Sequence, residues 1–255
     1  RGKFFQPVID RAEANVRELL NISDDYAVIF VQGGASLQFS MLAMNLLNGG
    51  TADYIDTGVW SNKAAKEAKM FGNVNIVASS RDDKYDHIPA VSEWKMTPGA
   101  AYMHITSNNT IAGSEYLPLP KAPEGVPLIA DMSSDIMSRV FDATKFDMIY
   151  AGAQKNLGPS GVTLVVMKKA LAERTAANVP TMLRYSTYID EGSMFNTPPT
   201  YSVYMLALVT DWIKAKGGIA GVEEINNVKA AKLYDFLDNS SFFKSPVARA
   251  DRSRM

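Results

Sequence analysis

Seven short apolar runs between residues 27 and 167 most constrain what this chain can fold into. Several of them are apolar at nearly every position, as expected of strands that are buried on both faces. Helical patterns separate at least the early runs, and this alternation indicates a layered α/β domain around a mostly parallel sheet. The runs are residues 27–31, 52–56, 74–78, 100–106, 126–130, 146–151 and 162–167.

Stretches near both ends of the chain have helical periodicity. Apolar residues recur at helical spacing over residues 5–20, which predicts an amphipathic helix. Residues 201–216 and 221–237 predict two long helices that are separated by a pair of glycines. We expect one face of the first of these to be buried, namely the face with Val203, Leu206, Ala207, Thr210 and Ile213.

The composition excludes several classes of function. The 255 residues carry a net charge of -1, so neither nucleic acid nor an anionic membrane is expected as a partner. The chain has no cysteine, which excludes disulfides, thiolate metal sites and cysteine nucleophiles and fits a cytoplasmic location. Its two histidines are too few for a histidine metal site. One of them, His104, lies in an apolar run and is expected to be a satisfied core residue.

One lysine is set in a short loop framed by glycine and proline. Residues 151–161 read Ala-Gly-Ala-Gln-Lys-Asn-Leu-Gly-Pro-Ser-Gly, so Lys155 lies between two of the apolar runs. An amine that is held in place at the end of a buried strand suits Schiff-base chemistry. The alternative is an ordinary surface lysine in a strand-to-strand turn, and the loop by itself does not separate the two interpretations.

Other polar or aromatic residues follow predicted strands, where ligands bind in open α/β sheets. Residues 32–36, Gln-Gly-Gly-Ala-Ser, precede a helix whose free N–H groups suit a phosphate, although a plain turn with Ser36 as N-cap is the simpler interpretation. Trp60 could stack on a flat ring or belong to the core. Asp131 could cap a helix or pair with a buried cation. Residues 107–113 form a polar loop.

The set as a whole changes the interpretation of its members. A phosphate cradle, a stacking ring, a carboxylate and an anchored amine would all lie at one edge of a single sheet. Pyridoxal 5'-phosphate needs these groups, because its aldehyde forms an imine with lysine, a carboxylate keeps its ring nitrogen protonated, and its phosphate favours a helix N-terminus. The sequence therefore predicts a pyridoxal-phosphate site.

Four segments carry a resemblance to a known family. Residues 32–39, 104–113, 151–161 and 196–200 resemble the signature segments of the phosphoserine aminotransferases, within the class V aminotransferases. Their order and spacing match across essentially the whole chain. The resemblance implies the fold of the pyridoxal-phosphate-dependent transferases, with a three-layer α/β/α large domain and a mostly parallel seven-stranded sheet.

The same resemblance implies a domain division. Residues 1–216 would form the large cofactor-binding domain, and residues 217–255 would begin a C-terminal small domain that is incomplete here. We therefore expect the chain to be an internal fragment of a longer protein, without the family's N-terminal segment and most of its small domain.

The resemblance also implies roles for the matching residues. Lys155 would form the imine with the cofactor and move a proton between the substrate and the cofactor. The remaining cofactor-binding residues of the same chain would be Ala35, Ser36 and Gln154 at the phosphate, Trp60 against the ring, Thr110 at the ring hydroxyl and Asp131 at the ring nitrogen.

Two further contacts are implied, together with two departures from the family pattern. Asn196 and Thr197 would reach the cofactor phosphate of the neighbouring subunit, so that a homodimer shares its active sites. Arg1 would bind the substrate carboxylate.

Some relatives carry an arginine where Ser36 stands, which leaves open how the substrate phosphate is recognised. The family's further substrate-binding residues would lie beyond Met255.

The implied reaction is reversible transfer of the amino group of L-glutamate to 3-phosphohydroxypyruvate, giving O-phospho-L-serine and 2-oxoglutarate in serine biosynthesis. The family also allows 4-phosphohydroxythreonine, from vitamin B6 biosynthesis, as a substrate. Two alternatives stay open: another class V aminotransferase of the serine–glyoxylate or alanine–glyoxylate type, and a non-catalytic pyridoxal-phosphate-binding dimerisation module.

Overall fold

The computed structural model describes residues 2–255, in which helices and strands alternate along most of the chain. The helices are α1 (Gln6–Leu20), α2 (Gly34–Leu46), α3 (Val59–Ala68), α4 (Lys169–Ala172), α5 (Tyr185–Asp190), α6 (Thr200–Ala215) and α7 (Gly218–Asp238). The strands are β1 (Tyr26–Val31), β2 (Thr51–Asp56), β3 (Asn73–Ser79), β4 (Met103–Thr106), β5 (Asn108–Asn109), β6 (Ser114–Glu115), β7 (Leu128–Asp131), β8 (Met148–Gly152) and β9 (Thr163–Lys168).

The seven predicted strands form one sheet in the order β1-β9-β8-β7-β4-β2-β3. Strand β9 pairs antiparallel with both of its neighbours, and every other pair in this sheet is parallel. The carboxyl ends of β1, β2, β4, β7 and β8 therefore all lie at the same edge. The prediction of a mostly parallel seven-stranded sheet is confirmed.

Each face of the sheet is covered by helices, because successive side chains of a strand point to opposite faces. In β1, Val28 and Phe30 belong to one apolar cluster, which also contains the buried faces of α1 and α6. Ala27 and Ile29 belong to a second cluster, built with α2 and α3. Full burial of one large apolar side chain contributes about 1.5–3 kcal/mol, so two such clusters hold the three layers together.

Helix α6 buries the face that its sequence predicts, since Val203, Leu206, Ala207, Thr210 and Ile213 are all shielded from solvent. It packs against α1, where the buried Asn15 donates hydrogen bonds to Thr210 Oγ1 at 3.0 Å and to Asp211 Oδ1 at 2.7 Å. Across residues 2–255, no helix combines the length and the apolar character needed to cross a membrane.

Strands β4, β7 and β8 begin at least two residues later than their apolar runs, and one hairpin has no counterpart in the predictions. The run over residues 126–130 becomes a strand only from Leu128, because Pro127 has no N–H for the ladder. The run over residues 100–106 begins with a turn in which Ala100 N–H binds Thr97 O, and its strand starts at Met103. Strands β5 and β6 are too short to produce a periodic pattern.

His104 lies in the sheet and is fully buried. Its Nε2 lies 2.8 Å from the Tyr150 hydroxyl, and its ring stacks on Tyr54 with 4.7 Å between the ring centroids. Its Nδ1 has no partner in the described part of the chain, so the expectation of a fully satisfied histidine is only half right. Burial lowers the pKa of His104 from 6.5 to about 3, and the ring is neutral at neutral pH.

We expect His104 to make the protein sensitive to acid. In the unfolded chain His104 binds a proton below its ordinary pKa of 6.5, whereas in the folded protein it does so only near pH 3. Its stabilising effect is therefore complete above pH 6.5 and decreases as the pH falls, by about 2 kcal/mol between pH 6.5 and 4.5. Urea unfolding at several pH values measures this slope. The His104→Gln variant should show a shallower slope, and equal slopes would contradict the prediction.

Candidate active site

The turn between β1 and α2 exposes a helix N-terminus at the carboxyl edge of the sheet. Gly33 and Gly34 have φ of 91° and 65°, a left-handed conformation that favours glycine. Helix α2 begins at Gly34, with Gly33 in the N-cap position, so Ser36 lies in the first turn and is not the N-cap. The first N–H groups of a helix lack intrahelical partners and carry its positive dipole end. Ala35 and Ser36 thus present backbone donors, and Ser36 adds a hydroxyl.

Asp131 ends β7 at the same edge and is only 5% exposed. Its Oδ1 accepts hydrogen bonds from Ser133 N–H at 2.9 Å and from Ser133 Oγ at 2.6 Å. Ser133 Oγ in turn accepts from Gly152 N–H at 3.1 Å, which ties the carboxylate to the end of β8. Both hydrogen bonds from Ser133 use Oδ1, and Oδ2 accepts no hydrogen bond from residues 2–255.

The burial of Asp131 raises the pKa of its carboxyl above the ordinary value. The two hydrogen bonds from Ser133 and the positive charge of Lys155 act in the opposite direction, since they favour the ionised form. No salt-bridge partner contacts Asp131 among the described residues. The carboxylate is thus a buried negative charge without a direct cationic partner, which is the arrangement that a protonated ring nitrogen would complete.

The lysine loop that joins β8 to β9 is held at several points. Asn156 Nδ2 donates to Ile136 O at 2.6 Å, and Leu157 N–H donates to Ala153 O at 3.0 Å. Ser202 on α6 donates to Ser160 O at 2.8 Å. A Cβ on Gly161 would lie 2.8 Å from Ser202 Oγ, so glycine allows this close approach. The backbone around Lys155 is therefore fixed, as the glycine and proline frame predicts.

The Lys155 side chain opens into the cleft and is exposed to solvent from that side. Its Nζ donates to Thr110 Oγ1 at 3.0 Å and lies 5.4 Å from the centroid of the Trp60 ring. Partial burial lowers the pKa of the Lys155 amine, while the charges of Asp131 and Asp135 raise it. A lowered pKa increases the fraction of the Lys155 amine that is neutral, and therefore nucleophilic, at neutral pH.

The turn that carries Trp60 is held by buried hydrogen bonds. Ser61 Oγ accepts from Thr57 N–H at 2.9 Å and from Gly58 N–H at 3.0 Å. Asn109 Nδ2, from the neighbouring hairpin, donates to Thr57 Oγ1 at 3.1 Å. Asn109 directly precedes Thr110, so this bond connects the Trp60 turn to the contact partner of Lys155.

Substituting Gly58 by alanine should disturb this connection. The added Cβ would lie 2.9 Å from Asn109 Cγ, and Asn109 is buried and hydrogen-bonded, so the backbone has to shift. We expect a loss of about 1–3 kcal/mol in the free energy of unfolding and weaker cofactor binding. Chemical denaturation and cofactor titration measure the two effects. Gly2→Ala, where a Cβ meets nothing within 4 Å and the backbone is not left-handed, controls for the loss of glycine.

These elements meet in one cleft with a volume of about 130 Å³. Three buried polar atoms near it have no hydrogen-bond partner in residues 2–255, namely Trp60 Nε1, Thr106 Oγ1 and Asn108 Oδ1. Buried polar groups normally have partners, so this wall suits a polar ligand. The cleft is lined by Gly34, Ala35, Ser36, Trp60, Thr106, Asn108, Asp131, Ser133, Ser134, Gln154 and Lys155.

The predicted site residues divide into two groups by position. Ala35, Ser36, Trp60, Asp131, Gln154 and Lys155 line the cleft, and Thr110 reaches it through its hydrogen bond to Lys155. Asn196 and Thr197 lie outside it: Asn196 Nδ2 contacts Met182 Sδ at 3.3 Å, and Thr197 O accepts from Gln32 Nε2 at 3.4 Å. The predicted substrate-binding residue Arg1 lies outside the described residues.

Four residues of the cleft were not singled out from the sequence. Ser133 and Ser134 directly follow Asp131, and the rule that ligands bind beyond strand ends would have included them. Asn108 belongs to the polar loop of residues 107–113, but its buried position depends on Ser134, whose Oγ accepts from Asn108 Nδ2 at 2.9 Å. Thr106 ends β4 and gave no separate signal.

The parts of the cleft match the parts of pyridoxal 5'-phosphate. The α2 N-terminus suits its phosphate, the Trp60 indole suits its flat ring, the Asp131 carboxylate suits its ring nitrogen, and the Lys155 amine suits its aldehyde. This site, on a mostly parallel sheet between helical layers, defines a pyridoxal-phosphate-dependent transferase.

Comparison with known proteins makes the assignment more specific. The model of the family "Aminotransferase class-V" matches residues 1–255. A phosphoserine aminotransferase of Bacillus subtilis is 51% identical over 257 residues, covering all of this chain and 71% of the relative. The chain belongs to the class V aminotransferases, and phosphoserine aminotransferases are among its relatives at this level of identity.

Solved structures agree with this placement. The phosphoserine aminotransferase from Bacillus circulans subsp. alkalophilus superposes with a TM-score of 0.97 at 46% identity, covering the whole chain and 71% of that structure. A phosphoserine aminotransferase from Trichomonas vaginalis, solved with bound pyridoxal phosphate, has a TM-score of 0.95 at 36% identity and is covered to 76%. The match to a cofactor-bound relative over the full chain agrees with the fit of the cleft.

Proposed function

We propose that this chain transfers the amino group of L-glutamate to 3-phosphohydroxypyruvate, giving O-phospho-L-serine and 2-oxoglutarate. The observation that carries the proposal is the cleft, which joins the Lys155 amine, the buried Asp131 carboxylate and the α2 N-terminus at one sheet edge. Similarity at about half identity to phosphoserine aminotransferases supports the choice of substrates.

We propose that this chain's residues hold the cofactor at four places. Ala35, Ser36 and Gln154 bind its phosphate, Trp60 lies against its ring, and Thr110 contacts its ring hydroxyl. Asp131 holds the proton on its ring nitrogen, because a buried carboxylate is best compensated by a cationic partner. When bound, the cofactor supplies an electron sink that acidifies the hydrogen on the substrate's α-carbon.

Lys155 is the residue that we propose moves the proton. Its Nζ lies at the mouth of the cleft within hydrogen-bond distance of Thr110, so the amine has a defined position while it is free. Because partial burial lowers its pKa, the neutral amine is available to accept a proton from the substrate's α-carbon and to pass it on to the cofactor. Ser133 keeps Asp131 oriented throughout, through its two hydrogen bonds to Oδ1.

Recognition of the substrate's phosphate and carboxylate needs cationic side chains in addition to those that line the cleft. Lys155 is the one cationic residue among the described residues that line it. Ser36 offers a hydroxyl and a backbone N–H, which bind phosphate more weakly than a guanidinium does. We propose that Arg1 binds the substrate carboxylate.

We propose that the active unit is a homodimer. Asn196 and Thr197 are exposed and do not line the cleft of their own chain, which supports a role for them at the phosphate of the neighbouring subunit. In the same proposal residues 1–216 form the cofactor-binding domain and residues 217–255 begin the small domain. A cytoplasmic location follows from the reaction, since phosphorylated oxo acids do not cross membranes unaided.

An amino-acceptor assay tests the proposed reaction. With glutamate as donor, 3-phosphohydroxypyruvate should be converted far faster than glyoxylate. 4-Phosphohydroxythreonine, which is an amino donor, is assayed separately with 2-oxoglutarate as the acceptor. Activity with glyoxylate and none with the phosphorylated acceptor would replace the proposal with a glyoxylate-type enzyme. Cofactor binding without turnover of any acceptor would leave a pyridoxal-phosphate-binding dimerisation module.

A further inference from the structure

A buried cluster of charged residues lies behind Asp131. Asp135, Arg139 and Glu115 are all less than 10% exposed. Arg139 Nε lies 2.7 Å from Glu115 Oε1, and its terminal nitrogen lies 3.6 Å from Asp135 Oδ2. Glu115 also accepts a hydrogen bond from Arg254 N–H at 2.9 Å. The cluster therefore holds two carboxylates for one guanidinium, and Glu115 has the closer ion pair.

Asp135 connects this cluster to the backbone of the cofactor site through Ser107. The Ser107 hydroxyl makes a short hydrogen bond with Asp135 Oδ1. The N–H and the hydroxyl of Ser107 both lie 3.0 Å from the carbonyl oxygen of Asp131. Asp135 thus supports Ser107. Ser107 in turn binds the backbone of Asp131, at the point where the Asp131 side chain enters the cleft.

The charge of Asp135 is set by groups from several elements. Burial raises the pKa of Asp135 to about 6, and the nearby charges of Glu115 and Asp131 act in the same direction. The hydrogen bond from Ser107 and the charge of Arg139 oppose them. Asp135 is therefore mainly ionised above pH 6. The negative charges of Asp135 and Asp131 both act on Lys155, the cation of the cleft.

We propose that Asp135 is a positioning residue of the cofactor site. Through Ser107 it fixes the backbone from which Asp131 points into the cleft, and its buried negative charge stabilises a cationic nitrogen at the Lys155 position. This inference deepens the proposed function and rests on it, because it assigns Asp135 to the support of the same cleft. Asp135 does not line the cleft and so acts only through Ser107, through Asp131 and through its electrostatic field.

The test compares two variants that each remove one carboxylate partner of Arg139. Asp135→Asn removes the charge that acts on Lys155, whereas Glu115→Gln removes an equal charge from the same cluster and is matched for disturbance of Arg139. In the cofactor-free protein, the pH dependence of Lys155 acetylation by acetic anhydride, followed by peptide mass spectrometry, reports the pKa of the amine. Cofactor affinity is measured by titration with pyridoxal 5'-phosphate, and circular dichroism verifies folding.

We expect Asp135→Asn to lower the pKa of Lys155 by about 0.5–1 unit and to weaken cofactor binding several-fold. Glu115→Gln should leave the pKa of Lys155 unchanged. An unchanged pKa in Asp135→Asn, or an equal shift in both variants, would overturn the proposal. The labelling needs neither cofactor nor turnover, so its result is separate from failure of the proposed reaction.

Ser107→Ala provides a second variant in case Asp135→Asn does not fold. It keeps both charges and removes the hydroxyl that links Asp135 to Asp131. We expect it to weaken cofactor binding several-fold, because Asp135 loses the hydroxyl through which it holds Ser107 beside the carbonyl oxygen of Asp131. Wild-type cofactor affinity in Ser107→Ala would overturn the positioning role.

Discussion

Replacing Lys155 by alanine is expected to abolish transamination and to replace the absorbance band of the lysine imine by that of the free aldehyde in the cofactor-loaded protein. The amine is the covalent attachment point and the proton carrier of the proposed mechanism, and proton transfer alone accounts for roughly 10²–10⁴-fold in rate. Absorbance spectra and steady-state rates with glutamate and 3-phosphohydroxypyruvate measure the two effects. The cofactor should still bind, more weakly, through its phosphate and ring contacts.

Lys63 offers a matched control for this substitution. Its Nζ lies 4.7 Å from the centroid of the same Trp60 ring that Lys155 approaches at 5.4 Å. Lys63→Ala therefore removes a second amine close to the same indole and should keep the absorbance band. Retention of the band in Lys155→Ala, or its loss in Lys63→Ala, would mean that the anchoring amine has been assigned to the wrong residue.

Replacing Asp131 by asparagine should have the second largest effect. Asparagine preserves the shape of the side chain but cannot hold a proton on the ring nitrogen. A charge-assisted hydrogen bond contributes about 1.5–3 kcal/mol, so we expect kcat to fall by about 10- to 100-fold or more. Rates and cofactor affinity measured side by side separate the loss of chemistry from the loss of binding.

The pH dependence of the wild-type protein follows from the same carboxylate. Burial raises the pKa of Asp131 in the cofactor-free protein, and binding of a protonated ring nitrogen requires the ionised carboxylate, so cofactor affinity should begin to decrease at a pH above the ordinary titration range of an aspartate. Asp147→Asn serves as the control for Asp131→Asn, because Asp147 precedes β8 at the opposite edge of the sheet and pairs with Lys168. Equal losses of rate in the two variants would contradict the assignment.

The sheet and its functional edge could be predicted because their signals are local. A continuous apolar run in the sequence predicts each strand. Parallel strands bring their carboxyl ends to one edge of the sheet, so Asp131 and Lys155 could be placed together without knowledge of the strand order. The lysine loop was predicted to be held in place because glycine and proline frame it. The hydrogen bonds that hold it, from Asn156 to Ile136 O and from Ser202 to Ser160 O, became visible only in three dimensions.

The supporting groups of the site could not be predicted because their partners are distant in sequence. The hairpin of β5 and β6, which carries Thr110, is defined by contacts of Asn109 with Thr57 and of Glu115 with Arg139. Ser107 and Asp135 are 28 residues apart and meet only because β4 and β7 are neighbours. For Asn196 and Thr197 the proposed contacts belong to a second subunit, and what the single chain contributes is their exposure outside its own cleft.

Reduction of the cofactor-loaded protein with borohydride, followed by peptide mass mapping, tests the central claim most directly. Borohydride makes the link between the cofactor and its lysine permanent, so the modified residue can be identified without any measurement of turnover. We expect the added pyridoxyl phosphate mass on the peptide that contains Lys155 and on no other peptide. Modification of Lys63 or another lysine, or the absence of a specific adduct, would contradict the account.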